Sequence, residues 1–388
     1  MRIHLAIKSI ATILKPTSIT TNYMNRKILP PLWPGLSVLL VFGLFACTKP
    51  VDIELPTLDE GITISAYLNT TKGKQEVRIQ RLAPYTTRGL NYPILDAQVW
   101  IIDNLGLRQN FKPDPTRIGY YLPADRDFVG EAGKTYVLHI LTPNQRKIES
   151  QPQTLREVPP IKKVYREEII VDDSRLGTVV KGFKVLLDVD DPAAKGDFYR
   201  WDWVHYEQIS YCLQFHGTPL GGLNYETLVG IACCETCWDI VRCYVNCTNV
   251  YSDLLINGKT ITRYPISRIP YCPRDYYIEI QQRSISKEAY NYWHTVDQLT
   301  SNNGSLFDTP PSTIRGNLAC VSDSSQAVYG LFEVSDLEEG GYFISRINTS
   351  KPGYFTCDPL PLPTAATLCA PCVESVYRTK VKPRFWDR

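Results

Sequence analysis

The chain has 388 residues, with 42 basic against 40 acidic side chains and a formal net charge of +2. That near-neutral balance, with no basic run, leaves no electrostatic footprint for a polyanion and excludes nucleic-acid binding. The length, with abundant Tyr, Val, Ile and Pro, suffices for two domains that each bury a core.

Residues 36–46, LSVLLVFGLFA, form an uncharged apolar run of eleven. It is too short to span a bilayer, which needs about 20 apolar residues, but has the length of a signal-peptide core. Arg26 and Lys27 precede it, and it stops at Leu44-Phe45-Ala46-Cys47, which resembles a bacterial lipobox. Cys47 is therefore the expected lipid-attachment residue, with cleavage just before it and acyl chains anchoring the protein to a membrane. The signal is complete when read from Met24, so residues 1–23 are expected to be an upstream extension and residues 24–46 the signal peptide. Residues 1–46 hold five basic residues (Arg2, Lys8, Lys15, Arg26, Lys27) and no acidic ones. The expected mature chain thus carries 37 basic and 40 acidic residues, a net charge of −3.

From residue 51 to 150 short segments alternate between apolar and polar: VDIEL, ITISAYLN, EVRIQRLA, AQVWIID, GYYLP and TYVLHILTP, separated by turn residues. The period of two and the spacing predict an all-β sandwich over 47–155. Pro93 to Trp100, Asp103-Asn104-Leu105-Gly106 and Gly133 to Leu138 resemble immunoglobulin-like folds related to carboxypeptidase regulatory domains, which implies a fold and no function. Ser150 to Pro160, SQPQTLREVPP, reads as a short stiff linker.

A second β domain is expected over 156–388. In FYRWDWVHYE, Tyr199, Trp201 and Trp203 share one face and Arg200 and Asp202 the other, which predicts a strand with one buried and one wet face. The aromatic trio also has the makings of a stacking platform for a ligand, but its alternation with charges favours core packing. Ser286 to Leu299 predicts the one helix, with Ser286 as cap, Glu288 in the first turn, and Ala289, Tyr292, Trp293, Val296 and Leu299 at helical spacing. Glu338-Glu339-Gly340-Gly341 predicts a loop, and the stretch from Asp358 to Thr367 is a proline-rich tail.

Beyond Cys47 there are eleven cysteines: Cys212, Cys233, Cys234, Cys237, Cys243, Cys247, Cys272, Cys320, Cys357, Cys369 and Cys372. CCETCWDIVRCYVNC (233–247) offers enough thiolates for a tetrahedral zinc site. Export argues for disulfides instead, in a clipped insertion spanning 212–272. All eleven are expected disulfide cysteines, although an odd number leaves at least one unpaired, and spacing does not reveal the connectivity. Cys369-Ala-Pro-Cys372 has redox-motif spacing but no βαβ unit around it, so a structural clip is expected.

Catalytic patterns are sparse. Ser284-Ile285-Ser286-Lys287 has the serine–lysine spacing of penicillin-binding proteins without their partner motifs, and a helix cap is the simpler reading. His139, His205, His216 and His294 sit in no H-E-x-x-H, and neither G-x-S-x-G nor a phosphate-cradling glycine loop occurs. Asp188, Asp190 and Asp191 lack the glycine and terminal glutamate of a calcium loop and read as a solvated strand end. No cofactor, metal or catalytic residue is expected.

Several motifs in fixed order then carry a resemblance: Cys47 followed by VDIELP, RLAPY with Ala97-Gln98-Val99, Tyr199-Arg200-Trp201 and the Cys233-Cys234 cluster. After them come Pro310-Pro311-Ser312-Thr313-Ile314-Arg315-Gly316-Asn317, Val328-Tyr329-Gly330-Leu331-Phe332, Cys369 to Cys372, and Lys382-Pro383-Arg384-Phe385-Trp386. Together they resemble a family of Bacteroidota outer-membrane lipoproteins known as domain of unknown function 4249. The resemblance implies no catalytic residues. It implies a surface or periplasmic location on the outer membrane and a place beside a TonB-dependent transporter. The expected role is a non-enzymatic accessory or ligand-capturing lipoprotein whose ligand the sequence does not specify, with a structural or adhesive surface protein second and a hydrolase third.

Overall fold

The computed structural model describes residues 61–82, 91–173, 178–194, 196–217, 227–243, 249–271, 275–301, 314–346, 362–363 and 368–387. The expected signal, Cys47 and the strand expected at 51–55 lie outside them. In chain order the longer strands are β1 (Ile62–Asn69), β2 (Glu76–Arg81), β3 (Gln98–Asp103), β4 (Arg108–Pro113), β5 (Tyr120–Pro123), β6 (Thr135–Leu141) and β7 (Lys147–Ser150). Then follow β8 (Ile161–Asp173), β9 (Thr178–Asp190), β10 (Phe198–Gly217), β11 (Thr227–Arg242), β12 (Asn249–Ser252), β13 (Thr260–Pro270) and β14 (Tyr276–Ile285). Helix α1 (Lys287–Ser301) precedes β15 (Leu318–Cys320), β16 (Val328–Ser335) and β17 (Leu337–Ile344). The protein is mainly β, as the alternating pattern predicts.

The first sheet runs β15-β7-β6-β3-β4-β5-β2-β1-β16. Its core follows the period of two: Ile62, Ile64, Ala66 and Leu68 of β1 are buried, as are Val99 and Ile101 of β3 and Tyr136, Leu138 and Ile140 of β6. Each such side chain contributes about 1.5–3 kcal/mol by leaving water. Strands β4 and β7 escape the sequence reading because RQNFKP and KIES turn only Phe111, Ile148 and Ser150 fully inward. The last strand, β16, comes from residues 328–335 and pairs parallel with β1, Ile62 opposite Val328.

Strands β15 and β16 are close in sequence yet lie at opposite ends of this order, so the chain brings the two ends of the sheet near each other. Buried Asn317 joins the two ends: its Nδ2 donates to the Phe332 carbonyl at 2.8 Å, and the Phe332 N–H donates to its Oδ1 at 2.9 Å. The side chain thereby imitates a strand partner. Gly330 permits the approach of β16 to β1. Its φ is +101°, and a Cβ there would sit 1.9 Å from the Ile64 carbonyl oxygen.

The second assembly packs a three-stranded sheet, β8-β9-β13, against a larger one ordered β17-β14-β10-β11. Phe183, Val185, Leu187 and Val189 of β9 meet Tyr199, Trp201, Ile278 and Ile280 of the facing sheet. Tyr199 and Trp201 are fully buried and Trp203 packs beside them, so the aromatic trio is core rather than a ligand platform. At Arg200 the opposite face of β10 is not wet as expected. Arg200 is only 8% exposed, because α1 and β16 cover that face: its guanidinium stacks on Trp293 at 4.3 Å and pairs with Glu333 of β16 at 2.5 Å.

Helix α1 begins where its cap predicts, with the Ala289 N–H donating to Ser286 Oγ at 3.2 Å. Its Ala289, Tyr290, Tyr292 and Trp293 pack on Phe198, Ile285 and Leu331. Residues 338–341, expected as a loop, lie within β17, paired antiparallel to β14 with Glu339 opposite Gln281. The glycines serve packing, not turning: a Cβ on Gly341 would lie 2.3 Å from Phe385 Cβ. The 150–160 segment is bound along its length. Gln153–Thr154 pairs with β6, Leu155 is buried in the first core, the Val158 N–H donates to Asp336 Oδ2 at 2.9 Å, and the Pro159 carbonyl accepts from Gln282.

Candidate functional site

Strands β10 and β11 form a long antiparallel hairpin, and the cysteines sit where its register breaks. Ile209 faces Cys237, but Tyr211 faces Ala232, so residues 233–236 bulge opposite a single residue. A bulge disrupts the ladder and weakens an edge. Three disulfides restore the constraint: Cys212–Cys233 crosses the hairpin, while Cys234–Cys369 and Cys237–Cys372 bind the C-terminal tail to it. Cys369 and Cys372 therefore pair with β11 and not with each other, as expected of a structural clip. Cys243 is disulfide-bonded too. Thiolates committed to disulfides cannot ligate zinc, so the zinc alternative for this cluster does not hold for Cys233, Cys234 and Cys237.

Cys320 corrects the expectation that grouped it with the paired cysteines. It is a free, buried thiol of β15 that faces Ile148 and packs in the aliphatic first core. Cys247, Cys272 and Cys357 lie outside the described residues.

The tail runs as an added edge along β11. Residues 362–363 and 369–370 pair parallel with it and 378–379 antiparallel. Arg378 donates to Asp239 Oδ1 at 2.6 Å and to the Cys212 carbonyl at 3.2 Å. Trp386 then packs on Tyr277, Phe343 and Trp238 at centroid distances of 4.9, 5.6 and 6.1 Å. Burial, together with the hydrogen bond to Glu279, holds the Tyr277 hydroxyl protonated far above the ordinary phenol range. Covering β11 in this way removes an open edge that would otherwise template aggregation.

Apolar side chains stand exposed around the clamp: Leu213 and Phe215 on the distal hairpin, and Leu368, Val373, Val376, Tyr377 and Val381 on the tail. The match to the family described as domain of unknown function DUF4249 runs over residues 48–339. The chain belongs to that family. No curated protein matches it. In this DUF4249 member the matched region ends inside β17, so the hairpin and its bulge fall within it while Cys369, Cys372 and the tail that clamps them lie beyond.

Among the other residues singled out by sequence, the serines have structural partners. Ser284 donates to the Arg156 carbonyl and Ser286 to Gln153 Oε1 at 2.5 Å, so neither hydroxyl is presented to Lys287 as a nucleophile. His205 is buried, stacked on Tyr276 at 3.8 Å and bonded to the Tyr277 carbonyl and Glu207. His139 stacks on Trp100, and exposed His294 on Tyr290; the side chain of His216 lies outside the described residues. Asp188 accepts from Tyr165 and from the Arg263 N–H, and Asp190 pairs with Lys162 and Thr260. Asp191 turns away from both into the interior.

Sequence reading missed a buried charge network between the assemblies. Arg200 bridges Glu333 and Asp202, Arg283 adds to Asp202 at 3.3 Å, and Trp293 Nε1 donates to Glu333 Oε2 at 2.8 Å. Desolvation raises the Asp202 pKa, but Arg200 and Arg283 outweigh it and leave the carboxyl below its usual range. Burial raises the nearby Tyr67 hydroxyl to about 12. No spacing rule predicts this network, because β10, β14 and β16 that supply it are distant in sequence. Among the described residues no helix is long and apolar enough to cross a membrane.

Proposed function

We propose that the mature protein is an outer-membrane lipoprotein, held by lipid on Cys47, that works as an accessory or ligand-capturing partner of a TonB-dependent transporter. It acts by contact and not by catalysis. The observation that carries this reading is the exposed apolar set, Leu213 and Phe215 with the tail side chains, on a hairpin and tail braced by three disulfides. Exposed apolar surface of this kind marks contact sites, and a braced surface loses less conformational freedom on binding than a free loop. Confinement to a membrane raises the effective concentration of a neighbour, so a modest interface suffices. The resemblance to outer-membrane lipoproteins supplies the transporter as the occupant.

Co-purification from detergent-solubilised outer membranes tests it. The wild-type chain should bring a TonB-dependent transporter with it and show acyl chains on Cys47 by intact mass. Leu213→Asp with Phe215→Asp should lose that partner while keeping the wild-type circular dichroism and lipidation. Absence of a transporter from the wild-type sample, or its retention by the double variant, would refute the partnership and favour a structural or adhesive surface role.

A further inference from the structure

Three carboxylates meet at one end of the second assembly. Asp191 follows β9, Asp197 precedes β10, and Asp253 opens the 3-10 turn Asp253–Leu255 between β12 and β13. One oxygen from each lies within 4.8 Å of the others. Asp191 and Asp253 are 7% and 1% exposed. Tyr199 donates to Asp191 Oδ1 at 2.6 Å and the Gly258 N–H to its Oδ2 at 2.9 Å. The Gly196 N–H donates to Asp253 Oδ2 at 2.9 Å, and Arg156 to Asp197 Oδ1 at 3.0 Å.

Two buried oxygens are left over. Asp253, almost wholly enclosed, turns its carboxylate into this cluster with Oδ1 lacking any hydrogen-bond partner, and Asn257 Oδ1, on the same turn, is also buried without one. A buried carboxylate oxygen without a partner is costly. Among the described residues Arg156 is the one cation paired with the cluster, so two negative charges stay uncompensated.

We propose that Asp191, Asp197 and Asp253 form a calcium site, with Asn257 Oδ1 as a further donor. A divalent cation neutralises the remaining charge and occupies the orphaned oxygens. The donors are all hard oxygens, which select calcium or magnesium over zinc. Carboxylate oxygens that all lie within 4.8 Å of one another can close on one ion at the calcium–oxygen distance of about 2.3–2.6 Å, whereas magnesium keeps several waters and is seldom held in an all-protein cage. Bound calcium ties the β9–β10 connection to the 253–258 turn and, through Arg156, to the 150–160 segment.

Terbium luminescence on the full chain tests the site, since Tyr199 touches Asp191 and its ring centroid lies 5.9 Å from that of Trp201, giving a sensitiser at the ion and a second behind it. After chelator treatment, terbium emission should saturate near one equivalent and fall on adding calcium. Calcium in the millimolar range of extracellular sites, roughly 0.1–1 mM, should raise the melting temperature in proportion to the logarithm of its concentration, and magnesium should not. Asp253→Asn should weaken terbium and calcium by roughly tenfold or more, while melting in chelator at or above the wild-type temperature because a repulsive charge is gone. A wild-type melting temperature indifferent to calcium, or terbium emission equal in wild type and Asp253→Asn, would overturn the proposal. The melting experiment stands on the wild-type chain even if the variant does not fold.

Discussion

The two disulfides that hold the tail should be strongly non-additive. Cys234–Cys369 and Cys237–Cys372 each close a loop with a sequence separation of 135. In the chain-entropy picture a loop of that size restricts the unfolded ensemble by about 5 kcal/mol when it is the sole crosslink. With one bridge in place, however, the other closes only the small ring of 234–237 and 369–372, about eight residues, worth about 2.5 kcal/mol. Replacing either pair by alanine should therefore cost about 2.5 kcal/mol from crosslinking, and replacing both about 7.5, an excess of about 2.5 kcal/mol over the sum of the two. Packing lost at buried Cys237 and Cys372 enters both the paired and the fourfold variant, so it cancels from that excess. Guanidinium unfolding followed by tryptophan fluorescence measures it, with Trp238 and Trp386 reporting at the clamp. An excess near zero, or a cost near 5 kcal/mol for either pair alone, would refute the ring-within-a-loop account.

Asn317→Ala should cost about 2–4 kcal/mol, because it leaves the buried Phe332 N–H and carbonyl without partners where the two ends of the first sheet meet; equilibrium unfolding checks this, and Asn317→Asp should rescue only the N–H. Arg200→Met should cost about 3–5 kcal/mol by stranding the Glu333 carboxylate, and adding Glu333→Gln should recover much of it, as a double-mutant cycle would show. In chelator, Asp197 should weaken the fold as pH rises. Its pKa is raised in the folded state, first by desolvation and then by Asp191 and Asp253, so its contribution is fully present below the ordinary carboxyl range and lost as pH climbs through the raised value. Melting temperatures between pH 4 and 8 should lose that part of their slope in Asp197→Asn.

Local pattern was enough to read the strand character of both halves, the inward faces of β1, β3 and β6, the burial of Tyr199 and Trp201, and the start of α1 at Ser286. Each is set by side-chain period or capping, which act between near neighbours. Cysteine density likewise announced a clipped insertion, yet the partners Cys369 and Cys372 are distant, and pairing across that distance depends on which strand the tail joins. Tertiary structure alone decided four further features. Residues 328–335 return to pair with Ile62–Asn69, and Arg200 faces Glu333 instead of water. Gly340 and Gly341 make room in a strand instead of turning a loop, and Asp191 meets Asp197 and Asp253 while Asp188 and Asp190 remain with surface partners. In every case the deciding neighbour is brought by another element, so the composition around the residue is the same whether the group ends solvated, paired or left for a cation.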